Sequence, residues 1–172
     1  IYNREALIQL FKTDEIVLIK GVQRIQGLLV AKGNPLNIKR VEDLTRIHYV
    51  NRQRGAGTRV LLDHLLKAKG IDPTSIKGYE HELSTHLAVA SAIQNKSADC
   101  GMGVYSAAHT MGCDFIEIAE EAYDFACRVE DLNHPSILRF IQVLKNPEFP
   151  ASVLALGGYR FDQAGEVNYF GR

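Results

Sequence analysis

The stretch YVNRQRGAGTRVLLDHLL at residues 49–66 constrains the fold more than any other. The run at 47–50 reads as a buried strand, and a Gly-Ala-Gly-Thr turn follows almost at once. Apolar residues then recur at Val60, Leu61, Leu65 and Leu66, which predicts a helix over 57–69 closed by Gly70. A helix opening just after a strand leaves its first backbone N–H groups without intrahelical acceptors and carries partial positive charge there. Such a mouth suits an anion. Gly55 and Gly57 let a ligand approach the backbone, Ala56 and Thr58 complete the turn, and Thr58 brings a hydroxyl. Arg52 or Arg54 has the forked donors that clamp an oxyanion. A plain cap flanked by solvated arginines fits the same residues equally well.

The order recurs downstream. SIKGYEHE reads as a strand, residues 84–95 as a helix with Ser84 or Thr85 near its N-cap, ADCGMGV as a buried strand and SAAHTMG as a short helix. Upstream, NREALIQLF has helical spacing behind Asn3, and EIVLIKGVQRIQGLLVAKGN reads as one long strand or two joined strands ended by Gly33-Asn34-Pro35. VEDLTR is a short helix or turn, DFIEIAEEAYDFACRV has strand character at both ends, and two C-terminal helices are separated by Pro147 and Pro150. Strands alternating with helices predict an α/β fold with a parallel sheet.

The 172 residues suit one domain or two small lobes, and 46% hydrophobic content suffices for a core. Twenty basic residues balance twenty acidic ones, so no global field draws the chain to nucleic acid or an anionic membrane, and any anion preference is local. Cys100, Cys113 and Cys127 are odd in number and widely spaced, which argues against a disulfide framework and a zinc site and for a reducing cytoplasm. No run of eighteen apolar residues and no basic-then-apolar leader is present, so neither a membrane span nor a signal peptide is expected.

Other motifs fail or stay weak. A Walker A loop needs a Lys before Thr58 and wider glycine spacing. The dinucleotide fingerprint is half met by Gly55 and Gly57, with Glu80 or Glu82 ending the next strand, but its third glycine is replaced by Val60. In HELSTH the five-residue step from His81 to His86 turns the second imidazole roughly 140° away, so the zinc-helix reading fails. Thr85 and His86 fit better in the first turn of the following helix, as caps or as ligand donors. No G-x-S-x-G is present, and Cys100 sits in an apolar strand where it packs.

The pieces RIQGLLVAKGNP, YVNRQRGAGTRVLLDHLL, GYEHELSTHLAVASAI, ADCGMGVYSAA, EEAYDF and LGGYR run in order from about residue 16 to about residue 160. Together they resemble the substrate-binding-like domain of the type II periplasmic-binding-protein fold, found in cytoplasmic proteins linked to molybdenum and tungsten. Members of that family are fused behind a helix-turn-helix DNA-binding segment, as in transcriptional regulators, or stand at the end of molybdopterin molybdenumtransferase-type proteins. The resemblance implies an incomplete first lobe, because the family opens with a further strand–helix–strand segment. Residues 1–30 would then be a partial first lobe and crossing strand, 31–122 the second lobe, and 123–172 the return strand and C-terminal helices of the first lobe.

The implied function is a non-catalytic cytoplasmic sensor that closes on molybdate, tungstate or a molybdenum-cofactor-related ligand. It would have no cofactor or metal of its own, no membrane contact and no direct hold on nucleic acid, any DNA-binding domain lying upstream; monomer and dimer both stay open. The alternative is a nucleotide-dependent enzyme using the turn from Gly55 to Thr58 as its phosphate site. NRQRGAGT is also similar to the loop of tungstate-binding transport proteins, which carries ligand roles to Arg52, Thr58 and the amides of Gly55, Ala56, Gly57 and Thr58. Ala56 stands where that family often has Ser. IVLIKGVQRIQGLLV and AEEAYDFACR would be the strands crossing between lobes, with Arg24 and Tyr123 facing the cleft near the hinge. Arg24 equally fits an edge-strand surface, and Tyr123 a core position.

Overall fold

The computed structural model describes residues 7, 8, 11 and 14–170, and the chain divides into two units, residues 25–120 and residues 1–24 with 121–172. The helix expected over 3–11 lies outside the described residues except for Leu7 and Ile8, which are helical, and Phe11. No described helix is long and apolar enough to cross a membrane.

Unit 25–120 takes the second half of β1 (Ile16–Val30), then β2 (Tyr49–Arg52), α1 (Gly57–Ala68), β3 (Glu82–Leu83), α2 (His86–Gln94), β4 (Cys100–Val104), α3 (Tyr105–Thr110) and the first half of β5 (Asp114–Arg128). Short 3-10 turns occupy Val41–Arg46 and Pro73–Ser75. The strand order is β3-β2-β4-β1-β5. β2 runs parallel to β3 and β4, while β1 is antiparallel to β4, with Gln26 opposite Val104 and Val30 opposite Cys100. The sheet is therefore mixed rather than wholly parallel. Each of the other connections carries a helix that returns the chain to its starting end; β1 and β2 are joined by a loop and a 3-10 turn, which do not.

Alternation along the strands sorts the core onto two faces. Leu28, Val30, Tyr49, Cys100 and Met102 pack with Leu61, Leu62 and Leu66 of α1 and with Val41 and Leu44 of the 3-10 turn. Their neighbours Leu29, Val50 and Val104 pack with Val89, Ala90 and Ile93 of α2 and Ala107 and Ala108 of α3. A sheet covered on both faces is the doubly wound arrangement, and it puts the helix starts beyond the carboxyl ends of the parallel strands.

The strand expected over SIKGYEHE shortens to Glu82–Leu83. Gly78 turns the chain at φ +86°, and a Cβ there would lie 2.0 Å from the Tyr49 carbonyl oxygen, so the backbone hugs β2 in a turn rather than a strand.

In the other unit the first half of β1 pairs with β6 (Tyr159–Arg160) and β7 (Val167–Tyr169). Ile16, Val17, Leu18 and Ile19 are its buried hydrophobic strand residues. Two helices follow β5: α4 (Pro135–Lys145) and α5 (Glu148–Leu154). Pro150 lies inside the first turn of α5 rather than between the helices, a position where its missing N–H has no intrahelical acceptor to lose. Phe125 meets Tyr123 and Phe140 edge to face, with ring centroids 5.6 and 4.7 Å away.

Candidate functional site

The end of β2 brings Arg52 to the carboxyl edge of the sheet, opposite Leu83 of β3. Gly55 takes φ +84°, a left-handed conformation natural only to glycine, and the chain turns into α1. Ala56 is the N-cap of α1 in an extended conformation and gives no side-chain cap. The helical ladder begins with Arg59 and Val60, which donate to the Ala56 carbonyl at 2.9 and 3.0 Å. The N–H groups of Gly57 and Thr58 precede that ladder and have no intrahelical acceptor. α2 differs: Thr85 is its N-cap and accepts from the Ala88 N–H at 3.0 Å.

Arg52 is 9% exposed, and its Nη2 donates to the Ser84 carbonyl at 3.0 Å, tying the turn before α1 to the turn before α2. Arg54 is turned to carboxylates: its Nη2 lies 2.7 Å from Glu80 and its Nε 3.3 Å from Glu82. The bond and charge of Glu80 raise its pKa further above the ordinary arginine value. The oxyanion clamp expected of Arg54 is thus occupied by acidic neighbours. Thr58 is buried, and its Oγ1 donates to Oε1 of Gln26 at 3.0 Å. His86 is half-buried, its Nδ1 facing Gly103 of β4, where an added Cβ would approach it to 3.3 Å.

Arg52, Arg54, Gly55, Ala56, Gly57, Thr58, Thr85 and His86 all fall in unit 25–120, at the starts of two neighbouring helices. Arg24 and Tyr123 belong to the other unit, where they meet each other. Arg24 bonds Glu121 at 2.7 Å and stands 4.8 Å from the centroid of the Tyr123 ring. Tyr123 is 47% exposed, so it is no core residue.

Two functional-looking residues escaped sequence reasoning. Gln26, fully buried in β1, reads in sequence as a solvent-facing polar residue of an alternating strand. Arg59 reads as one more solvated cation, yet it is 4% exposed. Its Nε bonds Asp63 at 3.1 Å, Nη1 reaches Glu82 at 3.4 Å and the Arg52 carbonyl at 3.5 Å, and Tyr79 stacks with its centroid 4.0 Å away. Burial works against its charge, but Tyr79 and Asp63 more than restore it and the pKa is raised. The one signal available was the Arg59–Asp63 spacing of four on a helix. Burial drives the Cys100 thiol pKa far up, which removes it as a nucleophile.

The fold and this helix-mouth geometry define a class: an α/β domain whose helices start beyond the carboxyl ends of parallel strands. The chain belongs to the PBP superfamily domain family, which matches residues 1–145. It is 35% identical over 168 residues to the uncharacterized protein YvgK of Bacillus subtilis (strain 168), covering 96% of this chain and 54% of that one. It therefore spans about half the length of that relative. Among solved structures, the regulatory domain of NMB2055 (MetR), a LysR family regulator from N. meningitidis, superposes with TM-score 0.66 at 15% identity, over 87% of this chain and 72% of that one. PEB3 of Campylobacter jejuni, bound to L-phospholactate, gives TM-score 0.54 at 16% identity over 90% and 74%. These likenesses establish a periplasmic-binding-protein type II-like fold.

Proposed function

We propose that this domain binds a small oxyanion at the start of α1 and acts as a ligand-binding module rather than as an enzyme. The observation that carries the reading is the uncapped helix start. Alanine at an N-cap is less stable than Ser, Thr, Asp or Asn by about 1 kcal/mol, and here it stands beside a buried Arg52 anchored to Ser84. An anion there supplies the missing cap and meets the helix dipole. The L-phospholactate held by PEB3 shows the same fold accommodating a small acid. The resemblance described above adds molybdate, tungstate and molybdenum-cofactor-related species as candidates, a cytoplasmic setting, and a rearrangement of the two units on binding. The nucleotide-enzyme alternative gains no support: Val60, at the third fingerprint position, is 52% exposed instead of packing helix against strand.

Isothermal titration calorimetry with molybdate, tungstate, sulfate, phosphate, NAD and ATP tests the proposal. Arg52→Ala should weaken oxyanion binding by about 1.5–3 kcal/mol, the worth of a hydrogen bond to a charged group. Binding of NAD or ATP with no oxyanion response would overturn it.

A further inference from the structure

We propose that the outer edge of β5 between Asp114 and Glu120 docks an extended basic segment of a partner protein, which joins the sheet as a further strand; the proposal is independent of the oxyanion reading above. This half of β5 belongs to unit 25–120. β5 ends the strand order β3-β2-β4-β1-β5, so among the described residues its one strand neighbour in that unit is β1, and its other edge has no ladder to join. The two ends of the sheet are finished differently. β3 is two residues long, a short strand that offers little to pair with, whereas β5 runs for fifteen residues and contains no proline, glycine or lysine to spoil an incoming strand. Ile116 and Ile118 pack against the core beneath α1, which holds the half in place, while Glu117 and Glu120 are exposed.

The chemistry of the half selects its occupant. DFIEIAE holds three acidic residues and no basic one. The Asp114 carboxylate is taken up by Lys32 Nζ at 2.9 Å and by the Gly33 N–H at 2.8 Å, so the charge that a paired strand meets in the middle of the half is Glu117. A second copy of the chain pairing two-fold about this half brings acidic strand against acidic strand, and like charges on facing strands repel. A strand with lysine or arginine opposite Glu117 gains a cross-strand ion pair instead, and its flanking residues fall opposite Ile116 and Ile118, where apolar side chains suit. Asp114, Phe115 and Ile116 also line a groove with Tyr105 and His109 of α3. The Tyr105 ring, in a residue 37% exposed, stacks on His109 and meets Phe115 edge to face, which makes a shelf for an apolar side chain at that end of the added strand. Glu117 therefore guards the edge against self-pairing and selects a basic partner by the same charge.

The test follows the fluorescence anisotropy of a labelled decapeptide alternating lysine and valine, added to the whole chain. Two control peptides accompany it: the same sequence fully N-methylated, which keeps the charge but has no N–H to give the ladder, and a glutamate–valine peptide. The lysine peptide should bind saturably, and neither control should. Glu117→Lys should weaken binding by roughly fivefold or more, because attraction becomes repulsion, while Glu148→Lys, the same change of charge on α5, should leave it within about twofold. Hydrogen exchange should show amides within 114–120 gaining protection when the peptide binds. Absence of saturable binding, equal binding of the N-methylated peptide, or an affinity indifferent to Glu117→Lys would overturn the proposal. A wild-type dimer in sedimentation equilibrium that protects the same amides would also overturn it, by giving the edge to a second copy.

Discussion

Replacing Arg59 with Met retains most of the side-chain stem and deletes the guanidinium, which isolates what that group contributes. Four interactions go: the 3.1 Å bond to Asp63, the longer contacts to Glu82 and to the Arg52 carbonyl, and the stacking on Tyr79. A hydrogen bond to a charged partner contributes about 1.5–3 kcal/mol. That figure needs discounting, because the Asp63 side chain is 46% exposed and rehydrates when its partner leaves. Stacking of a desolvated guanidinium on an aromatic ring adds about 1–2 kcal/mol. The net loss should be about 2–3 kcal/mol, or a melting point lowered by roughly 5–10 °C for a chain of this size. Arg59→Lys keeps the charge but not the fork or the stack, and should lose about half as much. Urea titrations of the three proteins measure both values. A loss below about 0.5 kcal/mol for Met, or Lys as damaging as Met, would show that the guanidinium only decorates the α1–β3 surface.

Gly78→Ala should destabilise by about 2–4 kcal/mol, because the Cβ adds a backbone clash with Tyr49 to a left-handed φ; a melting point within 2 °C of wild type, about 1 kcal/mol or less, would contradict the turn geometry. A thiol reagent added to native protein should modify Cys113 and Cys127 well before Cys100, which is fully buried with its thiol pKa pushed up; mass spectrometry of partly labelled protein would expose the reverse order. Acid should erode stability through Asp43 and Asp114, whose pKa values are held below the ordinary 3.8 by the Lys39 amide and by Lys32 respectively. A depressed folded pKa means that the stabilisation is complete above about pH 4 and is lost as pH falls through the lowered values. Asp43→Asn should therefore flatten the decline that sets in below about pH 4, and an unchanged profile would exclude this source.

The β2–α1 unit was legible because its information is local: a short apolar run, a glycine needed at positive φ, then helical spacing. The Thr85 cap was legible for the same reason. What escaped was carried by distant partners. Gln26 is polar in an alternating strand, and its burial goes with a bond to Thr58, thirty-two residues away. The reversed direction of β1 depends on pairing with β4 across some seventy residues, which no local pattern encodes. Arg54 and Arg59 look alike in sequence, yet one is solvated among glutamates and the other sealed under Tyr79, a difference set by how the 76–81 turn packs.

The division of the chain has a consequence for its synthesis. Residues 25–120 are continuous, so that unit has all its strands and helices once residue 120 has left the ribosome. The other unit is split: the first half of β1 pairs with β6 and β7, which are made last. At about 5–20 residues per second, the stretch Ile16 to Ile19 waits roughly two to ten seconds after the continuous unit is complete before those strands arrive. During that interval these four apolar residues have β5 on one side only, and the edge that β7 later takes stands open, the kind of exposed strand edge from which aggregates grow.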